Sequence, residues 1–256
     1  MIRMKHYEKM LELGCFSIRD VEKLTGSRAA ATSILYDYQK KGYIERVKHD
    51  RYVAISLETK QPVFSRYQIG MNLFPGAFIS HHSAFEVYGY ANQVFYEVYV
   101  TCESRFSDFD YDGVYYHRMA PKNGMDVREV YGVRVSGVEQ TVVDVLNNFE
   151  KNTGLEETLR CMELIPSLNE KKLLDALEVY QNGFLYQKAG FILEQMNDIF
   201  LLPDSFFGEC RKHISGSRRY LLKQKGNEMV YHGRWRLYAP DNVKELTEKG
   251  VDGDAV

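Results

Sequence analysis

Ser17-Ile18-Arg19-Asp20-Val21-Glu22-Lys23-Leu24-Thr25-Gly26-Ser27-Arg28-Ala29-Ala30-Ala31-Thr32-Ser33-Ile34-Leu35-Tyr36 is the stretch on which the reading of this chain turns. Ser17 is placed to cap a helix, and Asp20 puts a carboxylate near the helix start. Ile18, Val21 and Leu24 form an apolar stripe at helical spacing. Thr25-Gly26 makes a tight turn, and Ser27 caps a third helix expected to reach about Lys41. Helix, glycine turn, helix is a helix-turn-helix pattern. In the third helix the small residues Ala29-Ala30-Ala31 permit close packing, and Leu35 and Tyr38 continue an inward face. Arg28, Thr32, Ser33 and Tyr36 fall on the other face, where a helix lying in a major groove would donate to phosphates or base edges.

Working outward, Met4 to Leu13 repeats apolar residues at helical spacing and ends at Gly14. On the other side, Gly42 is the expected left-handed helix stop. Ile44 to Val47 and Tyr52 to Ile55 read as two short strands around the basic loop Lys48-His49-Asp50-Arg51. A hairpin in this place is a wing whose tip reaches a phosphate backbone or the minor groove. The expected DNA-binding residues are therefore Ser27, Arg28, Thr32, Ser33 and Tyr36 on the helix and Lys48, His49 and Arg51 on the wing. For Tyr36 or Tyr38 taken singly, packing is an equal reading.

The charge distribution agrees with this placement. The formal net charge is −2, yet residues 1–60 carry 12 basic against 8 acidic residues and residues 61–210 carry 11 against 21. Residues 211–236 carry 8 against 1. Sorted charge of this kind suggests anion-binding surfaces on a nearly neutral whole. The second basic block comprises Arg211, Lys212, Arg218, Arg219, Lys223, Lys225, Arg234 and Arg236, with Tyr220, Tyr231 and Trp235 interleaved. It is read either as a second nucleic-acid surface, cations on phosphates and rings on bases, or as a solvated face that balances the acidic middle. Trp235 is equally suited to a core.

The chain is 45% hydrophobic with 19 Tyr and 14 Phe, which excludes an intrinsically disordered chain. No apolar run is long enough to span a bilayer, and Met1-Ile2-Arg3-Met4-Lys5 lacks the pattern of a secretory signal, so a cytoplasmic address is expected. Cys15, Cys102, Cys161 and Cys210 are far apart, with no C-x-x-C pair. That spacing argues against a zinc site and for reduced, buried thiols, and no metal or cofactor is expected.

Beyond Gln61-Pro62, the expected elements are a helix from Ser65 to Leu73, a short strand at Ala77-Phe78-Ile79-Ser80 and a helix from His82 to Tyr88. Strands follow at Val94–Thr101, Val114–Met119 and Val130–Val135, then a helix from Val138 to about Phe149. Val94, Tyr96, Val98 and Val100 are read as one face of the first of these strands. From Gly154 to about Ile214 the pattern is helical, with Pro166, Gly183 and Pro203 as punctuation and Asn169 as a cap.

Two clusters suggest catalysis. His81-His82-Ser83 contains a possible base and nucleophile, but neighbours at a helix start do not face one another, so Ser80 or Ser83 is read as a cap and the histidines as packing or surface residues. Asp108, Asp110 and Asp112 evoke a calcium loop, but the twelfth position is Met119 in place of Glu, and a solvated strand edge or loop is preferred. No G-x-x-x-x-G-K phosphate loop is present.

The order of several segments resembles the AbiEi antitoxins, the regulatory halves of abortive-infection, type IV toxin–antitoxin pairs. The first is the N-terminal pattern with Phe16-Ser17-Ile18-Arg19-Asp20-Val21 and Gly42-Tyr43-Ile44. The second is Pro75-Gly76-Ala77-Phe78-Ile79-Ser80-His81-His82-Ser83-Ala84-Phe85 followed by Gly89. Tyr99-Val100-Thr101 comes next, then Gly132-Val133-Arg134-Val135 running into Glu139-Gln140-Thr141-Val142-Val143-Asp144. Weaker matches follow at Gly190-Phe191-Ile192-Leu193-Glu194 and Arg234-Trp235. The resemblance implies a repressor that binds inverted repeats of operator DNA in its own promoter. It also implies a functional partner, a nucleotidyltransferase-like toxin, countered without a stable complex.

The expected fold is α+β: a winged helix-turn-helix over 1–60, a small mixed α/β domain with a small sheet over 61–150, a mainly helical part with the basic block over 151–240, and a partly disordered tail over 241–256. The expected function is a non-enzymatic, sequence-specific transcriptional autorepressor and antitoxin. The alternatives are a nucleic-acid-modifying enzyme or a protein-interaction adaptor with the winged helix as a targeting arm.

Overall fold

The computed structural model describes residues 6–151, 153–222 and 229–248. Helices and several small sheets are mixed along the chain. Met4, Lys223, Lys225 and the end of the expected tail lie outside the described residues. Contacts group the chain into two units. One comprises Met1–Ile79, Phe95–Pro121 and Glu129–Arg134, and the other Ser80–Val94, Lys122–Arg128 and Val135–Val256. The grouping departs from divisions at 60, 150 and 240, because strand pairing returns distant segments to each unit.

The first unit begins with α1 (Tyr7–Leu13), β1 (Cys15–Phe16), α2 (Ile18–Thr25), α3 (Arg28–Lys40), β2 (Ile44–Lys48) and β3 (Arg51–Ala54). Ser17 and Asp20 form a reciprocal capping box at the start of α2, satisfying two amides that no helix bond reaches. Gly26, in the left-handed conformation, ends α2. The Ser27 hydroxyl accepts from Ala30 N at 3.2 Å and starts α3. Tyr7, Met10, Phe16, Val21, Ala31, Leu35, Tyr38, Ile44 and Ala54 make one apolar cluster. Full burial contributes about 1.5–3 kcal/mol for each large aliphatic or aromatic side chain among them. The sheet order is β1-β3-β2. The two-residue β1, which pairs Cys15 with Val53 and Phe16 with Tyr52, was too short to carry a periodic signal.

The same unit continues with α4 (Arg66–Asn72), β4 (Phe78–Ile79), β5 (Glu97–Thr101), β6 (Phe109–Tyr111) and β7 (Val114–Met119), with strands in the order β6-β7-β5-β4. Strand β5 starts later than expected, and Val94 and Tyr96 are exposed. It does not alternate: Val98, Tyr99, Val100 and Thr101 are all buried. The reason is its central position between β7 and β4, with Gly70 of α4 letting the helix backbone approach Val98 and Val100. Asp112-Gly113, both with positive φ, form the two-residue turn from β6 to β7. Asp108 accepts from Arg118 N at 3.0 Å and lies 3.0 Å from His117 Nδ1, so these aspartates hold a strand edge.

The expected strand over Val130–Val135 is instead two strands, β8 (Val127–Val130) and β9 (Val133–Ser136). Tyr131 and Gly132 have φ of 50° and 72° and turn the chain between them.

The second unit contains α5 (His81–Tyr88), α6 (Val138–Asn148), α7 (Gly154–Glu163), α8 (Glu170–Tyr180), α9 (Gly183–Gln195), α10 (Asn197–Phe200) and α11 (Asp204–His213). Asn169 caps α8 by accepting from Lys172 N at 3.0 Å, and Asn182 caps α9 through Phe184 N at 3.1 Å. After α11 comes a sheet absent from the expected helical part: β10 (Arg219–Tyr220), β11 (Met229–His232) and β12 (Leu237–Pro240), in the order β10-β12-β11. Its residues are few and interrupted by charge, so no alternation showed. The core of this unit takes in Phe85, Leu146, Phe149, Leu177, Phe191, Phe206 and Trp235. Val243 joins the same core and is followed by α12 (Glu245–Glu248), within the stretch expected to be a tail.

Candidate nucleic-acid interface

Helix α3 presents one polar face. Ala31, Leu35 and Tyr38 are buried, while Ser27, Arg28, Thr32, Ser33 and Tyr36 are exposed. Tyr36 is 68% exposed, which favours a contact role over packing, whereas Tyr38 packs against Tyr7 and Tyr43. Thr32 Oγ1 donates to Arg28 O at 2.9 Å, a local bond that yields readily to an external acceptor. Arg28 Nη1 lies 3.6 Å from Glu22 Oε2, both side chains well exposed. Exposed pairs of this kind are worth roughly 0–1 kcal/mol, so the guanidinium is available to a phosphate or base.

The β2–β3 loop differs from the free basic tip expected. Lys48 Nζ donates to Ser107 O at 2.7 Å and sits 4.2 Å from the centre of the Phe109 ring. Partial burial holds its pKa below the ordinary lysine value, against the opposing pull of Asp108. Arg51 donates to Leu73 O and lies 5.1 Å from the centre of the Phe74 ring, with a side chain 18% exposed. Asp50 accepts from Ile18 N at 3.0 Å. Both cations are thus committed to carbonyls and rings of their own unit: Ser107 O and Leu73 O accept, and Phe74, Phe106 and Phe109 give apolar cover. His49 remains exposed at the tip, and Arg46 on β2 is exposed beside it.

A cleft of about 720 Å³ in the same unit is lined by Cys15, Arg19, Asp20, Lys23 and Arg51, among others. Asp20 and Asp50, also in its lining, are tied to the amides of Ser17 and Ile18. Burial pushes the Cys15 thiol up to about 12, which keeps it protonated. Asp20 and Asp50 thus hold the start of α2.

In the second unit the basic block is dispersed. Arg211 is half-buried at the end of α11, and its Nη1 is buried without a hydrogen-bond partner. Lys212 pairs with Glu209, and Arg234 Nη1 with Glu194 Oε1 at 2.6 Å. Arg218 lies over the Tyr231 ring, Arg219 over Phe184, and Arg236 donates to Gly216 O. Tyr220 and Tyr231 both pack on Tyr238 and are part-exposed, so Arg218, Arg219 and these rings share the small sheet. Trp235 is buried.

The His81-His82-Ser83 cluster is internal. Ser80 occupies the N-cap position of α5, but its hydroxyl lies 2.8 Å from His81 Nδ1 and does not cap the helix. Neighbours face each other here because Ser80 is extended while His81 has φ of 56°. Ser80, His81, His82 and Ser83 are all buried, and burial lowers the His81 pKa to about 4. The histidines are therefore buried and not surface residues.

No protein-family model matches the chain, and no curated protein matches it. Among solved structures, it is similar to the crystal structure of the RV2827C protein from Mycobacterium tuberculosis. The alignment covers 97% of this chain and 94% of that chain, with a TM-score of 0.67 and 12% sequence identity. At that identity the likeness shows the fold alone. Among the described residues, no helix is long and apolar enough to cross a membrane.

Proposed function

We propose that the protein is a sequence-specific DNA-binding transcriptional autorepressor, the antitoxin of a type IV toxin–antitoxin pair. In this reading residues 7–55 are a winged helix and α3 is its recognition helix. The observation that carries it is the exposed face of Ser27, Arg28, Thr32, Ser33 and Tyr36 on α3, the helix that follows the Gly26 turn. The element order α1-β1-α2-α3-β2-β3 and the sheet order β1-β3-β2 support the same reading. The antitoxin assignment and its nucleotidyltransferase-like toxin, countered in the cytoplasm without a stable complex, rest on the AbiEi resemblance. The commitment of Lys48 and Arg51 within their own unit leaves α3, with His49 and Arg46, as the DNA-contacting surface.

The test is a titration of the full chain against its own upstream DNA and against unrelated DNA at several salt concentrations. Tighter binding to the upstream DNA, weakening as salt rises, is expected. Arg28→Ala, Thr32→Ala or Ser33→Ala should each reduce discrimination between the two DNAs by about 1–3 kcal/mol while the fold is kept. Equal affinity for both DNAs overturns the repressor.

Arg218 and Arg219, with the rings of Tyr220 and Tyr231, form the second surface in this reading. Arg218→Ala combined with Arg219→Ala should lower affinity for operator DNA and reduce the salt dependence, leaving base preference intact. Coincident titration curves for parent and double variant would reduce this surface to a solvated face.

A further inference from the structure

We propose that His82, Glu157 and Cys161 form a binding site for one Zn²⁺ ion that tethers α5 to α7. The site belongs to the second unit and does not depend on the proposed DNA surface.

Glu157 and Cys161 are four residues apart on α7, so they point from one face of that helix. His82 comes from the first turn of α5. All three residues are buried, and one ligand atom from each lies within 4.8 Å of the other two. His82 Nε2 lies 3.3 Å from Glu157 Oε1, Cys161 Sγ lies 3.4 Å from the same oxygen, and Sγ lies 3.6 Å from Nε2. Zinc bonds of about 2.0–2.1 Å to nitrogen and oxygen and 2.3 Å to sulfur, at tetrahedral angles, place the ligand atoms roughly 3.3–3.6 Å apart. The three measured separations follow that pattern, with the sulfur edges the longer ones. The spacing therefore matches the corners of a coordination shell.

The surroundings agree. His82 Nδ1 lies 3.4 Å from Glu86 Oε1, itself buried. A carboxylate on the far nitrogen of a metal-bound histidine fixes the ring and leaves the other nitrogen's lone pair for the metal. Two carboxylates and a thiol are thus enclosed around the imidazole of His82. With Cys161 as thiolate and Glu157 as carboxylate, a divalent cation is balanced, and the thiol proton leaves to solvent on binding. One nitrogen, one oxygen and one sulfur donor suit zinc, whereas magnesium and calcium prefer oxygen alone. The sequence could not display the site, because its ligands come from two helices 75 residues apart and contain no paired cysteines.

The test uses the full chain, stripped with a chelator and titrated with Co²⁺ and then Zn²⁺. One equivalent of Co²⁺ should bind and give a thiolate-to-cobalt charge-transfer band with tetrahedral visible bands, and Zn²⁺ should abolish both. Cys161→Ser should remove the charge-transfer band, and Cys210→Ser, at a buried thiol elsewhere in the unit, should leave it. Glu86→Gln should keep the band while weakening affinity by about 10–100-fold. The parent chain decides the matter even where a variant folds poorly. Sub-stoichiometric uptake, no charge-transfer band in the parent, or a band that survives Cys161→Ser overturns the site.

Discussion

Gly190→Ala is expected to lower the stability of the protein by about 2 kcal/mol or more, although alanine is the better helix former. Gly190 lies in α9, and a Cβ there would fall within the van der Waals radii of Trp235 Cζ3 and Cη2. The neighbouring turns of α9 complete the clasp. Gln187 Nε2 donates to Trp235 O at 3.0 Å, and Trp235 Nε1 donates to Glu194 Oε2 at 2.5 Å. The ring therefore cannot move away without breaking its bond to Glu194, and the Gln187 bond holds the Trp235 backbone against the same helix. Overpacking typically costs about 1–3 kcal/mol, and here the broken bond adds to it. Against this stands a helix-propensity gain of about 1 kcal/mol. Gly208, in α11, supplies the contrast: the nearest atom to its added Cβ is an arginine tip at 3.8 Å. Gly208→Ala should stabilise by roughly 0.4–1 kcal/mol. Trp235 is the single tryptophan, so its fluorescence during urea unfolding reports both variants. An unchanged midpoint for Gly190→Ala would show that the ring does not rest on the helix backbone.

The second large effect is a dependence on pH that one residue carries. Asp144, on α6, is fully buried, accepts from Tyr180 OH at 2.7 Å and Gln140 Nε2 at 2.6 Å, and leaves Oδ2 without a partner. Burial raises its pKa from 3.8 to about 7, against the opposing effect of the two donors. In the unfolded chain the carboxyl ionises near 3.8, whereas in the folded chain it stays protonated until about 7. Between those values the unfolded state binds fewer protons, so this group's contribution falls as pH rises and is flat above about 7. The full swing is on the order of 4 kcal/mol. Asp144→Asn retains an acceptor for Tyr180 and Gln140 but cannot ionise. Relative to the parent, the variant should gain stability progressively from pH ~4 to pH ~7. Urea midpoints of both proteins across that range measure it, and a constant difference would place the ionisation elsewhere.

These two positions show what the sequence made legible. The helices after Ser17, Ser27 and Asn169 could be read because a side-chain cap is a local device, visible within four residues. The hairpin after α3 was legible for the same reason, through the Gly42 stop and the two short apolar-rich runs around the Lys48–Arg51 loop. What escaped depends on partners remote in sequence. Trp235 meets Gly190 across 45 positions, so the segments Gly190–Glu194 and Arg234–Trp235, which each resembled the antitoxin family weakly, turn out to be two sides of one contact. Lys48 and Arg51 looked like free cations because the rings and carbonyls that engage them lie in segments beyond residue 70. The sheet β10-β12-β11 was hidden by short strands rich in Arg and Tyr. The polar face of α3 was legible in full, since helical spacing alone sorts Arg28, Thr32, Ser33 and Tyr36 from Ala31, Leu35 and Tyr38.

The interleaving of the two units bears on how such a protein can change over generations. The chain passes from one unit to the other after Ile79, Val94, Pro121, Arg128 and Arg134. A recombination event with a single crossover exchanges everything on one side of a point, and no point in this chain separates the units. Neither unit can be traded for a homologous module, lost or duplicated in one step, as beads on a string can be. Such an architecture diversifies by substitution within both units together.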